Sequence, residues 1–249
     1  MDKTRVDREK EWHNSPFGHN ARAKIDKYYS IVNPVHKQWD KITADYLQKD
    51  ATVFLDYGCG AGLYLIRQAS MIKKGVGIDI SEALINQAEA EMKTANAGNL
   101  EFLVMDAMNT SFEDDFFDII HGHAILHHLD LKKSLEEIKR ILKDDGKAFF
   151  IEPLDTNPIF KMYRKMTPAA RTADERPFRR KDLQLIKLIF PAVEIKYYFF
   201  LSLLAVPFNK RKKIFNKILS ILYLMDKIIL NKYTPFKWLA WSCAIVLKK

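Results

Sequence analysis

The sequence predicts an α/β fold built around a doubly wound, mostly parallel sheet. Short apolar runs alternate with helix-like segments between residues 52 and 152. A turn with three glycines follows the first apolar run, and an acid, Asp79, ends the second. Such alternation favours parallel strands joined by right-handed helical crossovers, with ligands bound beyond the carboxyl ends of the strands.

The individual strands and helices are predicted from the spacing of apolar residues and from the residues at their boundaries. The predicted strands are Thr52–Tyr57, Val76–Ile80, Leu100–Met105, Phe117–His121, Lys147–Glu152 and Cys243–Leu247, with a further β-rich run at Ile195–Phe200. The predicted helices are Leu63–Ile72, Glu82–Ala95, Leu131–Leu142, Asp182–Phe190 and Ile214–Leu230. Ser81 is a good N-cap for the helix that begins at Glu82, and a turn is predicted at Lys143–Gly146.

The domain organisation predicted is one α/β domain, residues 51–249, preceded by an N-terminal helical lid, residues 1–50. The lid prediction rests on amphipathic helical spacing in that region. Two stretches of the domain depart from the strand–helix alternation and are predicted to be cap insertions, at about residues 155–190 and 207–240. The first is rich in proline and charge, which favours a connecting or lid segment, and the second contains an amphipathic cap helix.

The glycine turn and Asp79 together predict a nucleoside site. Glycine allows a sharp turn and close ligand approach, and a carboxylate can accept from both hydroxyls of a ribose. The turn reads G-x-G-x-G, and Leu63 stands where a dinucleotide site has its third glycine. No Lys-Ser/Thr pair follows, which disfavours a triphosphate. S-adenosylmethionine fits these features best; a glycine turn in another kind of α/β protein is the alternative.

Residues 52–152 resemble the class I S-adenosylmethionine-dependent methyltransferases. The matching segments are Leu55–Gly62, Gly77–Ser81, Val104–Ala107 and Phe117–Ile120, with Leu126–Leu129 and Glu152-Pro153 resembling small-molecule members. The resemblance implies a Rossmann-like sheet of seven strands, the last antiparallel. It also implies S-adenosylmethionine as cofactor and S-adenosylhomocysteine as product.

The resemblance further implies how the cofactor is held. Gly58, Cys59 and Gly60 contact the methionine part through the backbone, and Asp56 helps receive its amino group. Asp79 binds the ribose hydroxyls and Ile80 packs on the adenine. Asp106 accepts from the adenine amino group, with Ala107 nearby. His121 begins the loop after strand 4, which contacts cofactor and acceptor. Separately from the resemblance, the N-terminal aromatic residues suggest a lid over the cofactor, with Tyr29 over the sulfonium as a cation–π contact, while their spacing is equally typical of a packed helix.

Four histidines, at positions 121, 123, 127 and 128, crowd after strand 4, where a base for an oxygen or nitrogen acceptor is expected. His127 is the favoured base, with His123 and Glu152 as further catalytic candidates. His127 and His128 are equally compatible with a structural role. No cysteine or acidic ligand spacing accompanies the histidines, so no metal is expected.

The charge distribution and the cysteine content limit where the protein is expected to be located and what it is expected to contact. The net charge is +9, and residues 207–249 hold ten Lys/Arg and one acid, so the rest of the chain is neutral. Two cysteines, no signal-peptide core and no membrane-length apolar run favour a cytoplasmic protein. Residues 207–232 join a basic run to an amphipathic helix, which is typical either of contact with an anionic membrane surface or of a cap helix with its lysines in solvent.

The predicted reaction is methyl transfer to an O or N atom of a hydrophobic or amphiphilic small molecule by in-line displacement. The segment after strand 4 lacks the Asn/Asp-Pro-Pro-Tyr/Phe motif of amino-group DNA methylases, which argues against DNA. RNA is disfavoured, although an RNA methyltransferase stays an alternative. The other alternative is a non-catalytic, cofactor-binding regulatory or scaffold protein. Aminopropyl transfer is disfavoured because no paired acids are present for a polyamine.

Overall fold

The computed structural model describes residues 4–15, 33–167, 174–231 and 233–249. They contain one seven-stranded sheet with the order β3-β2-β1-β4-β5-β7-β6. The strands are β1 (Val53–Tyr57), β2 (Lys74–Asp79), β3 (Leu100–Val104), β4 (Phe117–His123), β5 (Leu142–Pro153), β6 (Ala192–Tyr198) and β7 (Ser242–Lys248). Strand β7 runs antiparallel to both of its neighbours, and the other pairings are parallel. The predicted fold class is confirmed.

Eight α-helices lie within the described residues. They are α1 (Arg5–Asn14), α2 (Asn33–Ala44), α3 (Leu63–Gln68), α4 (Glu82–Thr94), α5 (Leu131–Ile141), α6 (Pro158–Met166), α7 (Arg180–Ile189) and α8 (Lys212–Ile229). Short 3-10 helices lie at Ala69–Met71, Leu126–His128, Leu201–Phe208 and Pro235–Leu239. The predicted cap is present, since the Ser81 hydroxyl accepts from the Leu84 amide at 3.3 Å. No helix within these ranges is long and apolar enough to cross a membrane.

The sheet is covered on both faces by apolar layers. Leu55 points into a layer formed with α5 and α7, while its neighbour Phe54 points into the layer formed with α4 and α8. This alternation follows from the two-residue period of a strand. Both faces of the sheet are therefore buried from solvent. Polar side chains gather at the carboxyl edge of the parallel strands.

Three predicted elements differ from the structure. The turn expected at Lys143–Gly146 lies inside β5, where the register with β4 jumps from Phe117↔Leu142 to Ile119↔Lys147. This irregularity accommodates the polar, exposed residues without ending the strand. The first helix after the glycine turn ends at Gln68 and continues only as a 3-10 turn to Met71, instead of reaching Ile72.

The third difference is helix α6, which sequence analysis assigned to a connecting segment. Asn157 caps it by accepting from the Phe160 amide at 3.0 Å, and Pro158 occupies the first helical position. Proline is well tolerated there because that amide has no intrahelical partner. The Asn-Pro pair thus begins a helix.

Helix α8 leaves and rejoins the sheet at its carboxyl edge. It connects β6 to β7, and the first residue of β7, Ser242, pairs with both Tyr198 and Pro153, the last residues of β6 and β5. The insertion therefore emerges on the same edge as the ends of β1, β2 and β4. The two ends of the insertion therefore lie on the edge where a ligand is expected, while α8 itself packs on a face of the sheet through Phe215 and Leu219.

Candidate active site

The glycine turn between β1 and α3 is closed by left-handed backbone at three positions. Gly58, Gly60 and Gly62 have φ angles of 79°, 54° and 73°. A Cβ on Gly58 would lie 2.7 Å from Ile125, and one on Gly62 would lie 2.6 Å from Phe102. A Cβ on Gly60 would meet nothing within 4 Å. Close packing therefore requires glycine at 58 and 62, whereas Gly60 borders open space.

Asp79, at the end of β2, ties this turn to the start of α4. Its Oδ2 accepts from the Gly60 amide at 2.9 Å, and its Oδ1 accepts from the Ser81 amide at 2.9 Å. Each carboxylate oxygen has a second lone pair that can accept a further hydrogen bond. The carboxylate is thus oriented with one oxygen available for each of two neighbouring hydroxyls.

The amides of the turn already have acceptors within the chain. Those of Gly58 and Cys59 both donate to the Ile78 carbonyl at 2.9 Å. In this conformation these two amides are engaged within the chain, so the backbone contacts implied for Gly58 and Cys59 would use other backbone atoms. Burial raises the pKa of the Cys59 thiol far above its usual range, so the thiol is protonated and serves as a small space-filling group.

A cavity of about 370 Å³ lies against the turn at the carboxyl edge of the sheet. Of the site residues predicted from the sequence, seven line it: Gly58, Gly60, Asp79, Ile80, Asp106, Ala107 and His123. Ten further residues complete the lining: Arg5, Glu9, Ile78, Leu84, Met105, Met108, Ala124, Ile125, His128 and Leu129. Asp106 also shapes the turn after β3, since its Oδ1 accepts from the Met108 amide at 2.8 Å.

Asp56 and His121 lie within the sheet and do not line the cavity. Asp56 Oδ1 is 3.0 Å from His121 Nδ1, and both side chains are buried. The ring of Tyr64 stacks on His121 with centroids 3.7 Å apart. The prediction that His121 begins the loop after β4 is wrong, because β4 continues to His123. Tyr29 lies outside the described residues.

Glu152 and His127 form a second buried pair next to the cavity, and neither lines it. Glu152 is fully buried, and its Oε1 accepts from the amides of Ile125 at 3.0 Å and Leu126 at 2.8 Å. Its Oε2 is 2.7 Å from His127 Nδ1. Glu152 therefore fixes the loop between β4 and α5, which carries four of the cavity residues.

Helix α1 forms the opposite wall and contributes a residue that sequence analysis did not single out. Glu9 Oε2 lies 3.1 Å from Nδ1 of His128, and both groups line the cavity. Burial, followed by the adjacent His127, lowers the pKa of His128, and this outweighs the opposing effect of Glu9. No sequence signal distinguishes Glu9 from the other charged residues of α1.

His127, His128 and Glu175 bring one ligand atom each within 4.8 Å of one another. The Glu175 oxygen that lies 3.9 Å from His127 Nε2 is also 2.7 Å from Nη1 of Arg164. The guanidinium therefore already supplies a cation at this carboxylate. Burial alone would raise the pKa of Glu175, but His127, His128 and Arg164 hold it below its usual range.

Residues 55–150 match the methyltransferase domain family. Together with the strand order and the glycine turn, this match defines the class: the chain carries a methyltransferase domain with the fold of the class I S-adenosylmethionine-dependent enzymes. The class predicted from the sequence is confirmed.

Among named relatives, the chain is similar to demethylmenaquinone methyltransferases. That of Staphylococcus saprophyticus is 29% identical over 154 residues, which are 59% of this chain and 65% of the relative. That of Staphylococcus carnosus is 30% identical over 149 residues, 57% of this chain and 61% of the relative. The chain thus matches less than two thirds of the length of either relative.

A solved structure extends the likeness in fold. Geranyl diphosphate C-methyltransferase from Streptomyces coelicolor, in complex with Mg²⁺, geranyl diphosphate and S-adenosyl-L-homocysteine, has a TM-score of 0.62 to this chain. The match covers 89% of this chain and 82% of that one at 13% identity, so it concerns the fold alone.

Proposed function

We propose that the protein transfers the methyl group of S-adenosylmethionine to a hydrophobic or amphiphilic small molecule and releases S-adenosylhomocysteine. The observation that carries this proposal is the wall formed by Gly58, Gly60 and Asp79 on a 370 Å³ cavity. Asp79 is oriented for a ribose diol, and Ile80 and Asp106 stand beside it for the adenine. Because the sulfonium methyl is already activated, the remaining task is to position the acceptor in line with it.

The lining of the same cavity supports an acceptor with an apolar part. Met105, Met108, Ile125 and Leu129 contribute apolar surface, and Arg5 supplies a charge at the rim. The relatives with known names act on demethylmenaquinone. A reduced demethylated naphthoquinone with an isoprenoid side chain is therefore the acceptor to test first.

Calorimetry with S-adenosylmethionine and S-adenosylhomocysteine tests the cofactor site. Asp79→Ala should weaken both about 100-fold, because hydrogen bonds to a charged group contribute about 1.5–3 kcal/mol each. Glu101→Ala is the matched control, since Glu101 pairs with Lys74 on the surface of the same sheet. Equal affinity of Asp79→Ala and the native protein would refute the proposed site.

Transfer itself is followed with methyl-labelled S-adenosylmethionine and the naphthoquinol in detergent micelles. Label in the quinone fraction, lost in Asp79→Ala and kept in Glu101→Ala, is the expected result. Cofactor binding without label transfer would contradict this acceptor and favour the non-catalytic alternative.

We also propose that residues 207–232 bind an anionic membrane surface from which such an acceptor is taken. Along α8 an exposed apolar stripe recurs at helical spacing: Ile214, Ile221, Leu224, Met225 and Ile228. Lys213 and Lys217 flank it, and the basic run 210–213 precedes it. Asp226, the one acid of residues 207–249, is buried and accepts from the amides of Phe200, Leu201 and Ser202.

Exposed apolar side chains bordered by lysines suit the boundary between anionic headgroups and acyl chains. Co-sedimentation with vesicles tests this part of the proposal. Binding is expected to vesicles that contain phosphatidylglycerol and not to pure phosphatidylcholine vesicles at the same ionic strength. Failure to bind anionic vesicles at low salt would remove the membrane from the proposal and leave methyl transfer unaffected.

A further inference from the structure

We infer that His128 is the general base of the proposed methyl transfer and that Glu9, on helix α1, is its positioning residue. The inference rests on the proposed function. Its structural basis is one hydrogen-bonded pair that joins the two walls of the cavity across 119 residues of sequence.

The geometry of the pair selects the nitrogen that accepts a proton. Nδ1 of His128 lies 3.1 Å from Glu9 Oε2, so a neutral imidazole donates Nδ1–H to the carboxylate and carries its lone pair on Nε2. A carboxylate in this position fixes both the ring orientation and the tautomer, and it stabilises the imidazolium that forms when Nε2 takes a proton.

The groups around His128 keep the ring neutral near pH 7. His127 packs beside it with ring centroids 4.2 Å apart, and Glu175 faces it from the segment that follows residue 173. Arg164 forms an ion pair with Glu175. Arg5 and His123 line the cavity together with His128. Burial and His127 lower the pKa of His128 more than Glu9 and Glu175 raise it, so the base form prevails at neutral pH.

The other catalytic candidates are placed less well for this task. The Glu152 carboxylate already accepts from two amides and from His127, and it does not line the cavity. His127 does not line the cavity either. His123 does line it, but its side chain is exposed, whereas His128 is buried and oriented by a carboxylate.

His128 and the sulfur of the cofactor accept the proton and the electron pair that the transfer releases. A hydroxyl of the naphthoquinol gives its proton to His128 Nε2, and the electron pair thus freed moves into the ring, so that the neighbouring unsubstituted ring carbon forms the bond to the methyl carbon. That carbon then loses its own hydrogen as a proton and the oxygen regains one, which restores the quinol. The carbon–sulfur bond breaks, and its electrons stay on sulfur, which becomes the neutral thioether of S-adenosylhomocysteine. The imidazolium of His128, paired with Glu9, then returns the proton to solvent. Because Glu9 belongs to α1, the pair exists only when α1 lies across the cavity.

Turnover of the reduced demethylated naphthoquinone by the full chain tests the assignment. His128→Asn should lower kcat by about 10²–10⁴-fold, the usual contribution of a general base. Glu9→Gln should lower kcat by about tenfold and move the acid limb of the kcat pH profile to lower pH, because the loss of an anion lowers the pKa of His128. Glu11→Gln, on the same helix, is the control. An unchanged kcat in His128→Asn, or an unmoved limb in Glu9→Gln, would overturn the inference.

A second measurement needs no acceptor. The ring of His128 is titrated by NMR with S-adenosylmethionine bound and then with S-adenosylhomocysteine bound. A base near the reacting methyl should titrate at lower pH with the sulfonium, because a nearby positive charge disfavours the imidazolium. Identical titrations place His128 away from the methyl and refute the inference, while calorimetry reports separately whether the cofactor binds at all.

Discussion

At the scale of single residues, both the backbone conformation and the close packing at Gly62 exclude a side chain. Its φ is 73°, in the left-handed region, and a Cβ would lie 2.6 Å from Phe102 and 2.8 Å from Ala88. We expect Gly62→Ala to lower the free energy of unfolding by about 1–3 kcal/mol from overpacking, with about 1 kcal/mol more from the backbone.

Urea denaturation measures this loss, and Gly98→Ala is the matched control. A Cβ at Gly98 meets nothing within 4 Å, and its φ is not in the left-handed region. Such a change should be neutral or stabilise by up to about 1 kcal/mol. Equal unfolding midpoints for the two variants would show that the turn adapts to a side chain.

Glu152→Gln separates a structural from a catalytic role of that carboxylate. Three donors converge on it, and an amide offers one oxygen and a nitrogen that cannot accept. A buried donor left without an acceptor costs about 1–3 kcal/mol, so the free energy of unfolding should fall by about that amount. Glu101→Gln, at an exposed site, should leave it unchanged. Native stability of Glu152→Gln would mean that the loop between β4 and α5 holds its shape without this carboxylate.

At this scale, features formed by residues close together in the sequence were predictable, and contacts between distant residues were not. The glycine turn and Asp79 carry their signal locally, because a tight turn and a strand-end acid are short-range patterns. The Glu9–His128 pair joins residues 119 positions apart, and a glutamate in a charged helix has no distinguishing context. His127 and His128 could not be told apart either, since only the 3-10 turn at 126–128 decides which ring faces the cavity.

At the scale of elements, α1 lies over the cavity and is held at both ends. Arg8 forms a two-pronged pair with Asp174, Nε to Oδ2 at 2.6 Å and Nη2 to Oδ1 at 2.8 Å. Toward its other end, the Ser81 hydroxyl donates to Asn14 Oδ1 at 2.5 Å. Arg5 and Glu9 of the same helix line the cavity, so we retain the lid as a proposal for α1.

Arg8→Ala should weaken the attachment of this lid without changing a residue that lines the cavity. The pair is partly exposed, and such pairs contribute up to about 1 kcal/mol, so cofactor dissociation should speed up about two- to fivefold. Stopped-flow displacement of S-adenosylhomocysteine measures the rate, with Lys10→Ala as a control on the exposed side of the same helix. An unchanged rate would show that release does not depend on the Arg8–Asp174 contact.

Elements with a clear period were predicted to within a few residues, and those that depend on tertiary context were not. Helix α5 was expected at Leu131–Leu142 and lies at Leu131–Ile141, because its apolar face and its Asp130 cap are both local. Helix α6 was missed since Asn-Pro also marks turns, and only the capping contact to Phe160 distinguishes the two. The polar run 143–146 resembles a turn, yet pairing with β4 on either side keeps it within β5.

At the scale of the whole molecule, the excess charge and the cavity lie toward the same edge of the sheet. The ten basic residues and one acid of 207–249 account for the entire net charge of +9. The segment that carries most of them joins β6 to β7 beyond the strand ends. An acceptor leaving a bilayer under α8 would therefore enter on the side where the cofactor is proposed to bind.

Removing the basic run tests whether this charge directs membrane binding. Replacement of Lys210, Arg211, Lys212 and Lys213 by Gln should weaken binding to phosphatidylglycerol vesicles by two to three orders of magnitude, since each basic side chain near an anionic surface contributes about 1 kcal/mol. The same change in net charge at Lys73, Lys93, Lys132 and Lys133, all exposed, is the control and should have a small effect. Vesicle flotation at rising salt measures both, and binding of the native protein should weaken with salt as screening shortens the reach of the charges. Equal losses in the two variants would mean that net charge, rather than its placement next to the apolar stripe of α8, governs the association.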